Sequence, residues 1–90
     1  MNGYTEFYWN NGELIVHTEC YHQTTRHYTD CKLSKENVEK LALALDIKED
    51  VVKFLTKRYS AGIGILEVLK RQAIPYEVIG RGYEDTSTDV

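Results

Sequence analysis

The sequence predicts an α+β domain in which an N-terminal three-stranded antiparallel β-meander is followed by two or three helices packed on one of its faces, with a short C-terminal strand. Three observations lead there. Between residues 4 and 33, Tyr, Phe, Trp, Thr, Val and Ile come in short runs broken by turn residues. After Ser34 the apolar residues recur every three to four positions instead of every two. The chain has 90 residues, 42% hydrophobic and 28% charged, with one Pro and six Gly, which is room for one core and unlike collagen, coiled coil or disorder. The expected boundaries are a domain over residues 1–80 and a mobile acidic tail over residues 81–90.

Asn11-Gly12 is the strongest short hairpin signal and sets the first register: Trp9 faces Leu14, Tyr8 faces Ile15, Phe7 faces Val16 and Glu6 faces His17. A second turn at Gln23-Thr24 lacks glycine, yet it pairs Leu14 with Leu33, Val16 with Cys31 and Cys20 with His27. The apolar residues of all three strands then share one face, an agreement that a slip of one residue would destroy. Ser34 reads as the N-cap of a first helix through Val38, Leu41 and Ala42 that ends near Leu45. Asp46 with Glu49 resembles a capping box for a second helix through Val51, Val52, Phe54, Leu55 and Tyr59. The apolar arc of that helix is wide enough to need two neighbours, either within the domain or from a partner chain. A third helix carries Ile65, Leu66, Val68, Leu69 and Ala73 and stops at Pro75, with Ser60 as a candidate cap. Tyr76 to Ile79 reads as a short strand added to the sheet's edge.

The N-terminal stretch has no signal-peptide pattern, and the longest apolar runs, residues 41–45 and 14–16, are too short to cross a bilayer. A cytoplasmic protein with two free thiols is expected, without a membrane partner. Eleven Lys plus Arg against 14 Asp plus Glu leave a net charge of −3, which argues against a general nucleic-acid coat.

Four constellations bear on function. All three His and both Cys lie between His17 and Cys31, but no CxxC is present, and Cys31 stands roughly 13 Å along the strand from His27. A small metal-binding domain using Cys20, His22 and His27 is a third-ranked reading, and no cofactor is expected. The face opposite the apolar stripe collects Tyr4, Glu6, Tyr8, His17, Glu19, Tyr21, Arg26, Tyr28 and Asp30. Tyrosine combines a stiff contact area with a hydroxyl that can bond a partner, so these nine residues are the expected partner-binding site. Within that face Glu6, His17 and Asp30 form a row across three strands, an imidazole between two carboxylates. A flat sheet offers no pocket to exclude water, so a catalytic role is not expected.

The fourth constellation spans residues 38–58. Leu41, Ala42, Leu45, Ile47, Val52 and Leu55 fall in a pattern that resembles the helix-turn-helix of DNA-binding repressors. The resemblance covers about a quarter of the chain and departs at Asp46, where a turn glycine is usual, and at Glu49, Asp50, Val51 and Phe54 in the would-be recognition helix. It implies DNA contact through Lys48, Lys53, Lys57 and Arg58.

Weighed together, these features favour a non-catalytic module that docks on a protein partner through the tyrosine-rich face and acts by occlusion, as a monomer or homodimer. Small size, acidic charge and absence of a catalytic motif are similar to small phage and mobile-element accessory proteins, including anti-CRISPR and anti-restriction inhibitors. A helix-turn-helix transcriptional regulator is the alternative.

Overall fold

The computed structural model describes residues 2–85. Four strands, β1 (Asn2–Asn10), β2 (Glu13–His22), β3 (Thr25–Leu33) and β4 (Glu77–Asp85), form one antiparallel sheet in the order β1-β2-β3-β4. Between β3 and β4 run α1 (Lys35–Ala44), α2 (Val51–Tyr59) and α3 (Gly64–Arg71). The architecture is the expected α+β one.

Both hairpin registers follow from the turns. Asn11 and Gly12 take φ of 53° and 79°, the left-handed pair that a tight two-residue turn demands. Trp9↔Leu14, Phe7↔Val16 and Glu6↔His17 are Cα partners, as are Val16↔Cys31 and Cys20↔His27. Without glycine, Gln23 adopts a φ of 53°, and the Thr25 hydroxyl donates to the His22 carbonyl at 3.0 Å.

One sheet face, here the near face, carries Phe7, Leu14, Val16, Cys31 and Leu33 into a core completed by Val38 and Leu41 of α1, Leu55 of α2, Ile65 and Leu69 of α3, and Ile74. Burying a side chain of this size contributes about 1.5–3 kcal/mol. Val51, Val52, Phe54 and Tyr59 pack partly buried against the same core, so the wide arc of α2 finds its neighbours within the chain. The loop between α2 and α3 is laced to the outer edge of β1. Thr5 N–H donates to the Ser60 carbonyl at 2.9 Å, Gly62 N–H to Gly3 at 3.0 Å, and the Thr5 hydroxyl to Gly62 at 2.6 Å.

The helix ends correct the sequence reading in part. The Ser34 side chain caps α1 as expected, accepting from Asn37 N–H at 3.3 Å. Asp46, expected to open α2, instead closes α1. Its φ is 54°, its N–H donates to Leu43, and Ile47 N–H reaches back to the Ala42 carbonyl at 2.8 Å, which is a Schellman closure with aspartate where glycine is usual. The N-cap of α2 is Asp50, whose carboxylate accepts from Lys53 N–H at 3.0 Å. Ser60 ends α2 and does not cap α3, whose N-cap is Ile63 without a side-chain bond. A second Schellman closure ends α3, with Ala73 at φ 55° and Ile74 N–H bonded to the Leu69 carbonyl at 2.9 Å.

The expected boundary at residue 80 is also corrected. β4 continues along β3 as far as Asp85, opposite Thr25, so residues 81–85 belong to the sheet and only residues 86–90 of the expected tail lie outside the described residues. Ile79 is the extra residue of a bulge, since Asp30 faces Gly80 while Cys31 faces Val78. Among the described residues no helix is long and apolar enough to cross a membrane.

Candidate functional site

The helices occupy the near face, so the other face of the sheet, here the far face, holds the nine expected partner-binding residues. Alternation on paired strands puts them there. Tyr4 of β1 and Tyr28 of β3 flank Glu19 of β2, Asp30 faces His17, and Arg26 faces Tyr21.

Glu19 is the centre of this face. Although no helix covers it, it is only 6% exposed. One carboxylate oxygen, Oε2, accepts from the Tyr4 hydroxyl and lies 2.7 Å from His17 Nε2. The other, Oε1, accepts from the Tyr21 hydroxyl at 2.8 Å and lies 3.4 Å from Arg26 Nη1. His17 Nδ1 is 2.5 Å from Asp30 Oδ1. The Tyr4 and Tyr21 rings stack at 6.5 Å, His17 and Tyr28 at 6.2 Å, and the Arg26 guanidinium sits 5.8 Å over Tyr28. Arg26 also reaches Glu84 of β4 at 3.7 Å, so all four strands are stitched together.

The expected row of Glu6, His17 and Asp30 exists in the Cα register but not in the bonding. The imidazole uses its two nitrogens for Asp30 and for Glu19 on its own strand, and Glu6 is exposed. A residue two positions along a strand shares the face, and that spacing was the available signal for Glu19. Tyr8, 47% exposed, lies away from the cluster beside Ile15, its cross-strand partner.

β4 makes room for this arrangement. A Cβ on Gly82 would stand 2.5 Å from the Tyr28 ring, and one on Gly80 3.2 Å from Asp30 Oδ2. Tyr28 therefore lies across bare backbone.

The electrostatics follow from the bonding. Burial alone would raise the Glu19 pKa, but donors from His17, Tyr4 and Tyr21 and the charge of Arg26 outweigh it and hold the carboxyl at about 2. Bonding to that carboxylate, then burial, pushes the Tyr4 hydroxyl up to about 12. Burial would lower the His17 pKa, but the bonds to Glu19 and Asp30 win and raise it above 6.5. With a carboxyl group at hydrogen-bond distance from each ring nitrogen, the protonated imidazole is the form these contacts favour. The mutual bonds keep the side chains of the cluster in one arrangement.

Charge divides the sheet. Glu6, Glu13, Glu19, Asp30, Glu77 and Glu84 all fall on the far face, against Arg26, Lys32 and His17. Lys32 bridges Glu13 at 3.6 Å and Glu77 at 3.4 Å beside an open cleft of about 280 Å³ that Ser34, Asn37, Pro75 and Tyr76 also line.

The other candidates sit elsewhere. Lys48, Lys53, Lys57 and Arg58 are exposed on the helical layer, with Lys48 paired to Asp46 at 3.6 Å and Arg58 stacked 5.0 Å over Phe54. Residues 45–50 separate α1 from α2, where a helix-turn-helix uses a turn of about three or four residues. Cys20 and His27 are cross-strand partners, and the His22 and His27 rings meet edge to face at 5.8 Å. Among the described residues no group of three His, Cys, Asp or Glu side chains is placed to hold a metal ion. Compared with known protein families, curated proteins and solved structures, the chain matches none.

Proposed function

We propose that the protein is a non-catalytic binding module that docks on a protein partner through the far face of its sheet and works by occluding the surface it covers. The observation that carries this reading is the Glu19 cluster. It is a set of aromatic and charged side chains already locked by bonds to one another on a face that no helix covers. A surface ordered before contact loses little side-chain entropy on docking. Tyr21 and Tyr8 present exposed ring area, as tyrosine does in paratopes. Glu19 and Asp30 are engaged internally, whereas Glu6 is exposed and Glu84, at the edge of the Arg26 contact, is still 61% exposed, so these two can meet a partner's basic groups. A basic surface on the target is the complement, and the inhibitors of mobile elements that act on nucleic-acid enzymes are the class this reading favours.

The test is affinity capture from a host lysate, with and without nuclease, using the wild-type chain and two double variants, Glu6→Lys/Tyr8→Ala and Lys53→Glu/Lys57→Glu. One stoichiometric protein that survives nuclease, is lost with the sheet variant and is kept by the helix variant is the expected result. Recovery of defined DNA that only the helix variant loses would replace this reading with the helix-turn-helix one.

A further inference from the structure

The near face is only partly roofed. The loop bonded to Gly3 and Thr5 lies against β1, while in the same rows of the sheet, Gly3↔Cys20↔His27↔Tyr83, the β3–β4 side forms an arm on which His27 and Tyr83 are exposed. On the near side of this arm three rings make a continuous ladder. His22 meets His27 edge to face at 5.8 Å, and His27 stacks on Tyr83 of β4 at 5.4 Å with an interplanar angle of 30°. Tyr83 is 65% exposed, more than Tyr8, Trp9 or Tyr21. Arg81, two residues before Tyr83 and therefore on the same face, is exposed, and its charge is felt by the Cys31 thiol of that face. Arg81 makes no ion pair among the described residues.

Among the described side chains, every carboxylate of the sheet, from Glu6 to Glu84, is on the far face. Exposed rings in contact, beside an exposed guanidinium, suit planar bases joined by phosphates. An acidic peptide without aromatic side chains would leave the rings without planar partners. A duplex hides the faces of its bases, so it too has nothing to stack.

We propose that the near side of this arm binds single-stranded nucleic acid, with bases stacked on Tyr83 and His27 and a backbone phosphate at Arg81. This activity is separate from the docking face on the other side of the sheet and does not depend on it.

The experiment is fluorescence anisotropy of a labelled oligouridylate, and of a duplex of equal length, titrated with the full chain at several salt concentrations. The single strand binds and the duplex does not. Tyr83→Ala weakens binding about tenfold, as expected for loss of a base stack of about 1–3 kcal/mol, while Tyr83→Phe retains it. Arg81→Gln flattens the plot of log affinity against log salt by about 0.7, one phosphate on a single strand. His27→Ala serves as a second ring removal, and circular dichroism verifies that each variant is folded. Absence of single-strand binding overturns the proposal. So does binding that Tyr83→Ala and His27→Ala leave unchanged but Lys53→Glu/Lys57→Glu abolishes, since the nucleic acid would then lie on α2.

Discussion

Replacing Glu19 with Gln keeps the shape of the side chain and removes the charge on which the far face is organised. A carboxyl held at about 2 instead of 4.5 corresponds to about 3 kcal/mol of preferential stabilisation of the ionised form. Water reaches the open side of the sheet and screens part of it, which leaves about 2 kcal/mol. The same size follows from bonding, because the amide nitrogen of Gln must face either Tyr4 and His17 or Tyr21 and Arg26, and one side loses its acceptor. For a chain of this size Glu19→Gln lowers Tm by about 10 °C and shifts the urea midpoint by about 1 M. Exposed Glu6→Gln, on the same face, changes stability by less than about 0.5 kcal/mol.

The pH dependence has a definite sign. The folded pKa of Glu19 is depressed, so its contribution is complete above about 4.5 and disappears as pH falls towards 2. That of His17 is raised, so its contribution is complete below 6.5 and is lost as pH rises through the higher folded value. Wild type is therefore most stable between those limits, and Glu19→Gln flattens both flanks of the curve. Urea titrations across pH check this. Equal midpoints for Glu19→Gln and Glu6→Gln, with an unchanged pH profile, would refute the cluster as described.

Other substitutions probe single features. Gly82→Ala forces the Tyr28 ring off β4, costs about 1–3 kcal/mol and speeds amide exchange along β4, whereas Gly80→Ala, with a looser contact, is milder. Ala73→Gly relieves a left-handed alanine at the end of α3 and raises stability by up to about 1 kcal/mol, opposite to the usual effect of a helix-to-strand loop substitution; a lower Tm would contradict the Schellman closure. Asp50→Ala removes the α2 cap and lowers stability by about 1 kcal/mol, while Glu49→Ala, if Asp50 is the cap, has little effect.

Much of the sheet was legible because its determinants are local. A turn dipeptide and a period of two specify which residues face one another, and the pairs from Glu6↔His17 to Cys20↔His27 needed nothing more. The nine residues of the candidate surface were legible for the same reason. Their bonding was not. Whether His17 turns to Glu6 across the strands or to Glu19 along its own depends on how several side chains fill one space, and sequence spacing admits both. The α1 terminus misled because aspartate favours both an N-cap and the left-handed closing position, and only the path of residues 45–50 separates the two.

By itself, then, the sequence determined the α+β class, the registers of the first three strands, the capping of α1 by Ser34 and the division of the sheet into an apolar and a tyrosine-rich face. These follow from periodicity and from contacts between neighbours in the chain. Tertiary structure alone decided that β4 runs to Asp85, that its glycines lie beneath Tyr28 and Asp30, that Glu19 gathers the donors of the far face, and that the helical layer stops short of Tyr83. Each of these depends on segments distant in sequence meeting in space, and one chain's local propensities do not encode where such a meeting ends.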